Sequence, residues 1–363
     1  MKVLLYGECE ALGSGAWCYA EALLRLGHEV VTFSPDNHLQ AYNTSRILRL
    51  FRRTIHRVLP VHRLRHVDAL IDLAREERPE VVIILKGLHL DFRDIRKVKT
   101  TGAWVVNINH DDFFSHNRNN WSLLQRSAIP EYDYIFTTRE VNVQEIYCLN
   151  KQVEFFPFAY CPRIHRPVAL TQSEERQWAV DVLFAGTWER YRSRQLEELV
   201  QRVPARYSIW GSQWEKVSRG SPLQPFLRER PIVMGEMAKA IGAAKISLAF
   251  LRKENRDDYT QRTFEIPACG GVLLAERTAR HRAFYREGVE AEFFDANSTD
   301  ELVSKVLLLL TNDDHRELLR KAGRASLLGQ RHTYDDRVSR LIEVYSLENS
   351  VHRDARIDNI NVG

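Results

Sequence analysis

The chain has 363 residues, of which 44% are hydrophobic and 28% are charged, and its formal net charge is +4. This length exceeds one ordinary core and favours two domains of about 150 to 180 residues. The small net charge gives no field that favours nucleic acid, and no apolar run approaches the ~20 residues of a membrane span.

The five cysteines are scattered and odd in number, and no two of them have C-x-x-C spacing. This usage is typical of reduced thiols rather than of a disulfide framework or a zinc site. The chain passes from Met1-Lys2 directly into an apolar run, unlike a signal peptide. We therefore expect a cytoplasmic protein.

The first half of the chain alternates apolar strands with helices. The first of these helices is amphipathic and covers residues 14–27. Its predicted strands cover residues 2–7, 29–35, 81–87, 103–109, 134–138 and 153–157. The second half repeats this plan, with predicted strands at residues 180–186, 207–211, 232–235, 246–251, 272–275 and 291–295. Such alternation predicts an α/β protein with two doubly wound parallel sheets that are covered on both faces.

Three prolines between Pro157 and Pro167 indicate a stiff, non-helical connection between the two halves. We place the domain boundary there, with a first domain over residues 1–165 and a second over residues 166–345. The remaining residues 346–363 are polar and aperiodic, so they are either disordered or packed back on the first domain.

The middle of the first domain is strongly basic, with seven arginines and no acid between Arg46 and His66. Apolar residues occupy one helical stripe of this segment and arginines another, a pattern typical of helices on anionic membrane surfaces. The segment from Arg46 to Arg65 therefore predicts a peripheral contact with the inner face of the membrane. The alternative is an ordinary helix whose arginines are solvated or bind an anionic acceptor.

Two loops of the first domain follow predicted strand ends. Gly13, Ser14 and Gly15 open the first helix, without the G-x-G-x-x-G spacing of a dinucleotide site, and predict a loop that contacts a ligand. His110, Asp111 and Asp112 follow another strand end and are candidates for hydrogen bonding to a ligand or for general-base work. The alternative for this triplet is a helix cap with a surface histidine.

A basic turn follows the first strand of the second half. Gly186 allows close approach of a phosphate to the backbone after the strand, and Thr187 comes next. Arg190 and Arg192 lie at the start of the following helix, where the helix terminus also favours an anion. The sequence predicts a phosphate site here with Arg190 favoured, the alternative being a solvated basic turn.

The most informative segment runs from Asp257 to Gly271. Asp257 and Glu265 stand eight positions apart between two predicted strands, and Arg262 lies between them. Glu265 would occupy the first turns of a short helix, where a carboxylate can accept two hydrogen bonds from a ribose diol. Arg262 and nearby N–H groups can face an anion. The alternative is an ordinary helix N-terminus with charged residues on its surface.

This segment resembles the donor-binding signature of glycosyltransferases with the two-domain GT-B fold, in which two acids flank seven residues in the retaining family-four clan. The phrase RTFEIPACGG and the interdomain phrase PFAY are similar to the bacterial spore-maturation-protein type of glycosyltransferase. The resemblance implies two Rossmann-like domains that face a central cleft. It assigns donor binding to Asp257, Arg262, Thr263, Glu265, Gly270 and Gly271.

The resemblance also implies a reaction. A nucleoside-diphosphate sugar, by default a UDP-sugar, would bind the second domain, and a glycan, lipid-linked or small-molecule acceptor would bind the first. There the loop of Gly13 to Gly15 would contact the acceptor or the departing diphosphate, His110 would bind the donor sugar, and Asp111 or Asp112 would hold acceptor hydroxyls or act as a base. Transfer would proceed with retention, without cofactor or metal, in bacterial glycan or glycoconjugate assembly. The alternatives are a nucleotide-sugar epimerase or hydrolase on the same fold, or a non-catalytic nucleotide-sugar-binding protein. An NAD-type oxidoreductase is disfavoured by the missing glycine fingerprint.

Overall fold

Short runs of buried aliphatic residues alternate with helices along the chain and assemble into two parallel sheets. The computed structural model describes residues 1–35, 63–115, 120–228, 230–232 and 234–360. One unit comprises the described residues from Met1 to Pro157 together with the C-terminal helix, and the other spans Phe158–Thr333.

The first unit is built on a six-stranded parallel sheet with the strand order β2-β1-β3-β4-β5-β6. Its strands are β1 (Lys2–Tyr6), β2 (Glu29–Phe33), β3 (Val81–Leu85), β4 (Trp104–Asn109), β5 (Tyr134–Thr137) and β6 (Val153–Phe155). Its described helices before the last one are α1 (Gly15–Arg25), α2 (Arg63–Glu77), α3 (Phe92–Lys99), α4 (Leu123–Ala128) and α5 (Glu140–Tyr147). Helices are needed between these strands because each pair of neighbouring strands is parallel.

The second unit repeats this architecture with the strand order β12-β11-β10-β7-β8-β9. Its strands are β7 (Val180–Ala185), β8 (Tyr207–Trp210), β9 (Leu227–Arg228), β10 (Ala244–Ala249), β11 (Leu273–Glu276) and β12 (Glu292–Phe294). Its helices are α6 (Gln172–Trp178), α7 (Arg190–Arg202), α8 (Met234–Ala243), α9 (Arg262–Ala268), α10 (Ala279–Phe284), α11 (Thr299–Thr311) and α12 (Asp313–Leu328). A hydrophobic core lies between the sheet and α7, α11 and α12.

The observed strands confirm the predicted α/β plan, and eleven of the twelve predicted strands lie within two residues of the observed bounds. The strand predicted at residues 232–235 is wrong. The position beside β8 is filled by Leu227–Arg228, and α8 begins at Met234. A short apolar run alone does not distinguish a strand from a buried helix start.

The units do not divide at the predicted residue 166, because the connecting segment packs within the second unit. Tyr160 N donates to His332 O at 2.9 Å, and His165 lies against Glu265. The C-terminal helix α13 (Tyr334–Ile360) packs with the first unit, where the ring of Tyr334 meets Tyr19 edge-on at 4.9 Å. The helix therefore continues beyond the predicted end of the second domain at residue 345.

Candidate functional site

The carboxyl ends of four neighbouring strands lie side by side in the second unit. In sheet order, β11, β10, β7 and β8 end at Glu276, Ala249, Ala185 and Trp210. Because all four strands are parallel, the loops that follow them share one edge, where open α/β sheets bind ligands. We call this edge the carboxyl edge of the second sheet.

Glu265 lies in the first turn of α9 at this edge and is only 3% exposed. Arg262 Nη1 donates to its Oε2, and His165 Nε2 lies 3.3 Å from its Oε1. Arg262 Nε also donates to the carbonyl of Ala185, at 3.2 Å. The arginine therefore links the carboxylate on α9 to the end of β7.

The ionisation of this group follows from burial. Burial, together with the smaller effect of the nearby Arg262 cation, lowers the pKa of His165 to about 3, so the ring is neutral near pH 7. Burial also lowers the pKa of the Arg262 guanidinium, to about 10, which leaves it cationic. One cation therefore faces Glu265 from α9, and a neutral histidine faces it from the connecting segment.

Thr263 was predicted to bind the donor, but its side chain points into the core and is fully buried. Its Oγ1 accepts from Thr260 N at 3.2 Å and lies 2.9 Å from Nε2 of His281. The other nitrogen of His281 lies 2.7 Å from the carbonyl of Glu276. Thr263 therefore holds the start of α9 in place, and its hydroxyl is already used.

Pro267 lies inside α9 and has no N–H for the carbonyl of Thr263, four residues earlier. The hydroxyl of buried Tyr285 donates to that carbonyl instead, at 3.0 Å. A side chain from outside the helix thus replaces the missing backbone hydrogen bond, which explains how the short helix tolerates proline.

The predicted donor-binding glycines lie at the far end of α9, because Gly270 and Gly271 directly precede β11 at the opposite edge of the sheet. Gly270 has φ +76° and ends the helix. A Cβ on Gly271 would lie 2.4 Å from Cγ2 of Ile241. Both glycines therefore serve the turn and its packing rather than the carboxyl edge.

Asp257 lies in the loop from β10 to α9, at the carboxyl edge. Its Oδ1 accepts from Asn255 Nδ2 at 3.0 Å, and its own N–H donates to the carbonyl of Arg252 at 3.2 Å. The side chain is half-buried, and the position of the loop after β10 puts it at the same edge as Glu265.

The turn from β7 to α7 approaches the same edge. Gly186 N donates to Trp210 O at 2.9 Å, and the Thr187 hydroxyl lies 3.2 Å from that of Ser212. Glu189 occupies the N-cap position but makes no capping hydrogen bond with its side chain. Arg190, the first residue of α7, is exposed. The helix start and Arg190 thus form a basic terminus beside β10.

Arg192, predicted to bind phosphate, is instead turned into the protein and 4% exposed. Its nitrogens donate to the carbonyls of Thr187 at 3.0 Å, Phe250 at 2.8 Å and Leu251 at 3.3 Å. These carbonyls belong to the loops after β7 and β10. Arg192 therefore ties the two loops together and leaves the outward-facing role to Arg190.

We expect Arg192→Lys to destabilise the protein by about 2 to 4 kcal/mol, because a lysine retains the charge but cannot satisfy three buried carbonyls in this fork geometry. Urea unfolding measures the change. Arg194→Lys is the matched control, since Arg194 is exposed two residues further along α7. Equal unfolding midpoints for Arg192→Lys and wild type would contradict this role.

The sequence interpretation missed Glu276, the last residue of β11. Its side chain is buried, and its Oε1 accepts from Leu251 N at 3.0 Å. Burial raises the pKa of Glu276 to about 7, and the neighbouring Glu189 raises it too, against the opposing effects of Leu251 N–H, Lys253 and Arg192. The sequence did contain a signal for this residue, because Glu276 is an acid at the end of an apolar strand that directly follows the segment from Asp257 to Gly271.

The raised pKa of Glu276 predicts a measurable pH dependence of stability. Between the ordinary glutamate pKa of 4.5 and the folded pKa of about 7, the folded state holds a proton that the unfolded state has released. Stability contributed by this group therefore falls as pH rises through that window, by roughly 3 kcal/mol in total. Glu276→Gln should lack this component when urea unfolding is compared from about pH 5 to about pH 8. Parallel curves for the two proteins would refute the assignment.

In the first unit, the structure brings two predicted loops together. Ser14 caps α1, with its Oγ accepting from Trp17 N at 3.0 Å, and Gly13 has φ +84°. A Cβ on Gly15 would lie 3.2 Å from Cε1 of His110, which stacks on Tyr19. Burial lowers the pKa of His110 to about 4, so the ring is neutral and able to accept a proton only weakly.

The two aspartates after His110 have different environments. Asp111 forms an ion pair with Lys86, at 2.5 Å between Oδ2 and Nζ. Asp112 is fully buried, and its Oδ1 accepts from Phe114 N and Asn142 Nδ2, both at 2.8 Å. Asp112 therefore stabilises the turn, against the prediction of a catalytic role, while Asp111 remains beside His110.

The remaining sequence predictions bear on metal and membrane. Among the described residues, no group of three or more His, Cys, Asp or Glu side chains has the arrangement of a metal site. No helix in the described part of the chain is both long and apolar enough to cross a membrane. The predicted membrane contact falls on the basic segment from Arg46 to Arg65. Residues 46–62 of this segment lie outside the described residues.

Comparison with known proteins relates the larger part of the second unit and the start of α13 to a sequence family. Residues 190–343 match the family model described as glycosyl transferase-like. The matched segment contains Arg190 and Glu265 but not His110. A comparison with curated proteins found no match.

Several solved structures share the fold. Sucrose-phosphate synthase from Thermosynechococcus elongatus is 13% identical, with a TM-score of 0.69 over 97% of this chain and 100% of that chain. HepE from Anabaena in complex with UDP and glucose is 10% identical, with a TM-score of 0.66 over 95% and 99%. A glycosyltransferase from Rickettsia africae is 12% identical, with a TM-score of 0.64 over 95% and 97%. With its two six-stranded parallel sheets, the chain therefore has the α/β two-domain GT-B fold.

Proposed function

We propose that the protein is a glycosyltransferase that moves a sugar from a UDP-sugar to an acceptor hydroxyl, with retention and without a metal ion. The observation that carries this proposal is the position of Glu265 and Arg262 at the carboxyl edge of the second sheet, beside the start of α7. The match of residues 190–343 to a glycosyl transferase-like family and the UDP bound by HepE support it.

Glu265 is the proposed ligand of the ribose. A carboxylate offers about four lone-pair positions on its two oxygens. Arg262 and His165 each approach a different oxygen, so each oxygen keeps a second acceptor position. Two adjacent hydroxyls match that pair of acceptors, which makes a ribose diol the fitting ligand.

Positive charge beside Glu265 is proposed to hold the diphosphate. Arg262 stays cationic, Arg190 is exposed at the first position of α7, and the N–H groups of a helix start favour an anion. These groups stabilise the negative charge that develops on the leaving diphosphate. In this proposal they supply what a divalent cation supplies in metal-dependent enzymes.

The first unit is proposed to bind the acceptor, a glycan, lipid-linked molecule or small molecule, through the loop of Gly13 to Gly15 and through His110 and Asp111. His110 accepts a hydrogen bond from, or donates one to, a sugar hydroxyl in its neutral form. Asp111 carries the negative charge nearest to it, so it is the stronger candidate for a base in this loop.

A thermal-shift panel tests the proposal with UDP, GDP, ADP, dTDP, CMP and NAD, each with and without a chelator. We expect stabilisation by UDP that the chelator leaves unchanged. Incubation with UDP-glucose then separates the activities, because a transferase consumes the donor faster with an acceptor than without one. Stabilisation by NAD alone, or by no nucleotide, would contradict the proposed function.

A further inference from the structure

The segment between Pro157 and Pro167 does more than connect the two halves of the chain. Tyr160 N donates to His332 O, and the hydroxyl of Tyr259 accepts from Phe158 N at 3.1 Å. His165 follows in a tight turn and is 8% exposed. The segment therefore lies fixed within the second unit, and one of its side chains reaches the candidate site.

The hydrogen bonds of the turn determine which nitrogen of His165 carries the proton. Cys161 N donates to Nδ1 of the ring at 3.0 Å, so Nδ1 acts as an acceptor. In a neutral imidazole the other nitrogen then carries the hydrogen. That nitrogen, Nε2, lies 3.3 Å from Oε1 of Glu265, a contact at ion-pair distance that places the protonated nitrogen beside the carboxylate.

The carboxylate of Glu265 is therefore approached by donors on both oxygens. Arg262 contacts Oε2 and is itself fixed by the carbonyl of Ala185. His165 approaches Oε1 and is itself fixed by Cys161, whose carbonyl also accepts from His165 N at 2.8 Å. Two anchored donors on different oxygens restrict the rotation of the carboxylate, as supporting groups do in other binding sites.

We propose that His165 is a positioning residue of the nucleotide-sugar site, which orients Glu265 toward the ribose hydroxyls through its Nε2 hydrogen. This inference rests on the proposed function. It assigns to the connecting segment a part in donor binding, carried out through Glu265 rather than by contact with the nucleotide.

Two substitutions separate positioning from packing. Asparagine at this position retains an acceptor for Cys161 N–H but is too short to reach Glu265. Glutamine is long enough for its amide to place an N–H near Oε1 of the carboxylate. His165→Asn should therefore weaken the binding of UDP, and His165→Gln should restore much of it.

The experiment measures UDP affinity by isothermal titration for wild type, His165→Asn and His165→Gln, beside their urea unfolding midpoints. We expect His165→Asn to lose about tenfold in affinity and His165→Gln to lie closer to wild type. Wild-type affinity in His165→Asn would overturn the inference alone. Absence of UDP binding by wild type would overturn both the inference and the proposed function.

A second measurement holds even if a variant fails to fold. Nitrogen-15 NMR of the wild-type histidines reports which ring nitrogen bears hydrogen, and the proposal requires it on Nε2 of His165. The His165 ring signals are assigned through their scalar connectivity to the backbone resonances of the wild-type protein, so no variant is needed. A proton on Nδ1 would overturn the inference, since Nε2 would then have no hydrogen to donate to Glu265.

Discussion

Glu265→Ala should weaken UDP binding by about a hundredfold. The substitution removes the acceptor of two ribose hydroxyls, and hydrogen bonds to a charged group contribute about 1.5 to 3 kcal/mol. It also leaves Arg262 without its carboxylate partner close to the diphosphate, held only by its hydrogen bond to the carbonyl of Ala185. Isothermal titration with UDP measures the loss, and the thermal shift caused by UDP should disappear at the same time.

Glu198→Ala is the matched control, because Glu198 is an exposed glutamate on α7 of the same unit. We expect it to bind UDP as wild type does. Glu265→Gln adds a second comparison, since it keeps the shape of the side chain but replaces one acceptor oxygen with a donor. Equal UDP affinity in Glu265→Ala and wild type would remove Glu265 from the binding site.

Gly211→Ala should be the most destabilising single methyl addition at the carboxyl edge. Gly211 has φ +144°, and a Cβ there would lie 2.0 Å from the carbonyl oxygen of Gly186. That oxygen also accepts from Trp214 Nε1 at 3.0 Å, so the backbone after β7 cannot move without losing this bond. We expect a loss of about 3 to 5 kcal/mol in the free energy of unfolding.

Gly220→Ala provides the control for Gly211→Ala, because a Cβ at Gly220 meets no atom within 4 Å. Its free energy of unfolding should stay within about 0.5 kcal/mol of wild type. Because Gly186 opens the turn to α7, Gly211→Ala should also weaken UDP binding in the molecules that remain folded. Similar stability in the two variants would show that the edge is less tightly packed than the distances indicate.

The sequence predicted the sheets well because buried parallel strands read as continuous apolar runs between helices. The strand at residues 232–235 failed because a short apolar run there belongs to the approach to α8. The sequence left open whether the tail from residue 346 packs on the first unit, and it did not indicate that the helix which does so begins at Tyr334. Which unit a C-terminal helix covers depends on contacts such as that between Arg340 and Glu154, 186 residues apart in the chain.

The sequence indicated part of the candidate site, and there are physical reasons why it could not indicate the rest. Residue type and spacing located Glu265 and Arg262, since a strand, a loop and a helix start bring them to one edge. The direction of a side chain was not accessible in the same way. Arg190 and Arg192 are equivalent in the sequence pattern, yet Arg190 is exposed and Arg192 donates its hydrogen bonds to backbone carbonyls. In the same way, the sequence did not show that Asp112 is buried while Asp111 pairs with Lys86.

His165 illustrates what neither motif nor spacing indicates. It stands 100 residues before Glu265 in the chain, within a phrase that read only as a connection. Its contribution depends on the turn formed with Cys161, which sets the direction of the ring. Such supporting residues become visible only when coordinates place them against the groups that they orient.

The most direct test of the account is a crystal structure of the protein with UDP bound. We predict the ribose hydroxyls within hydrogen-bonding distance of the Glu265 carboxylate and the diphosphate against Arg262 and the start of α7. A nucleotide bound away from the carboxyl edge of the second sheet, or with its ribose out of reach of Glu265, would contradict the account.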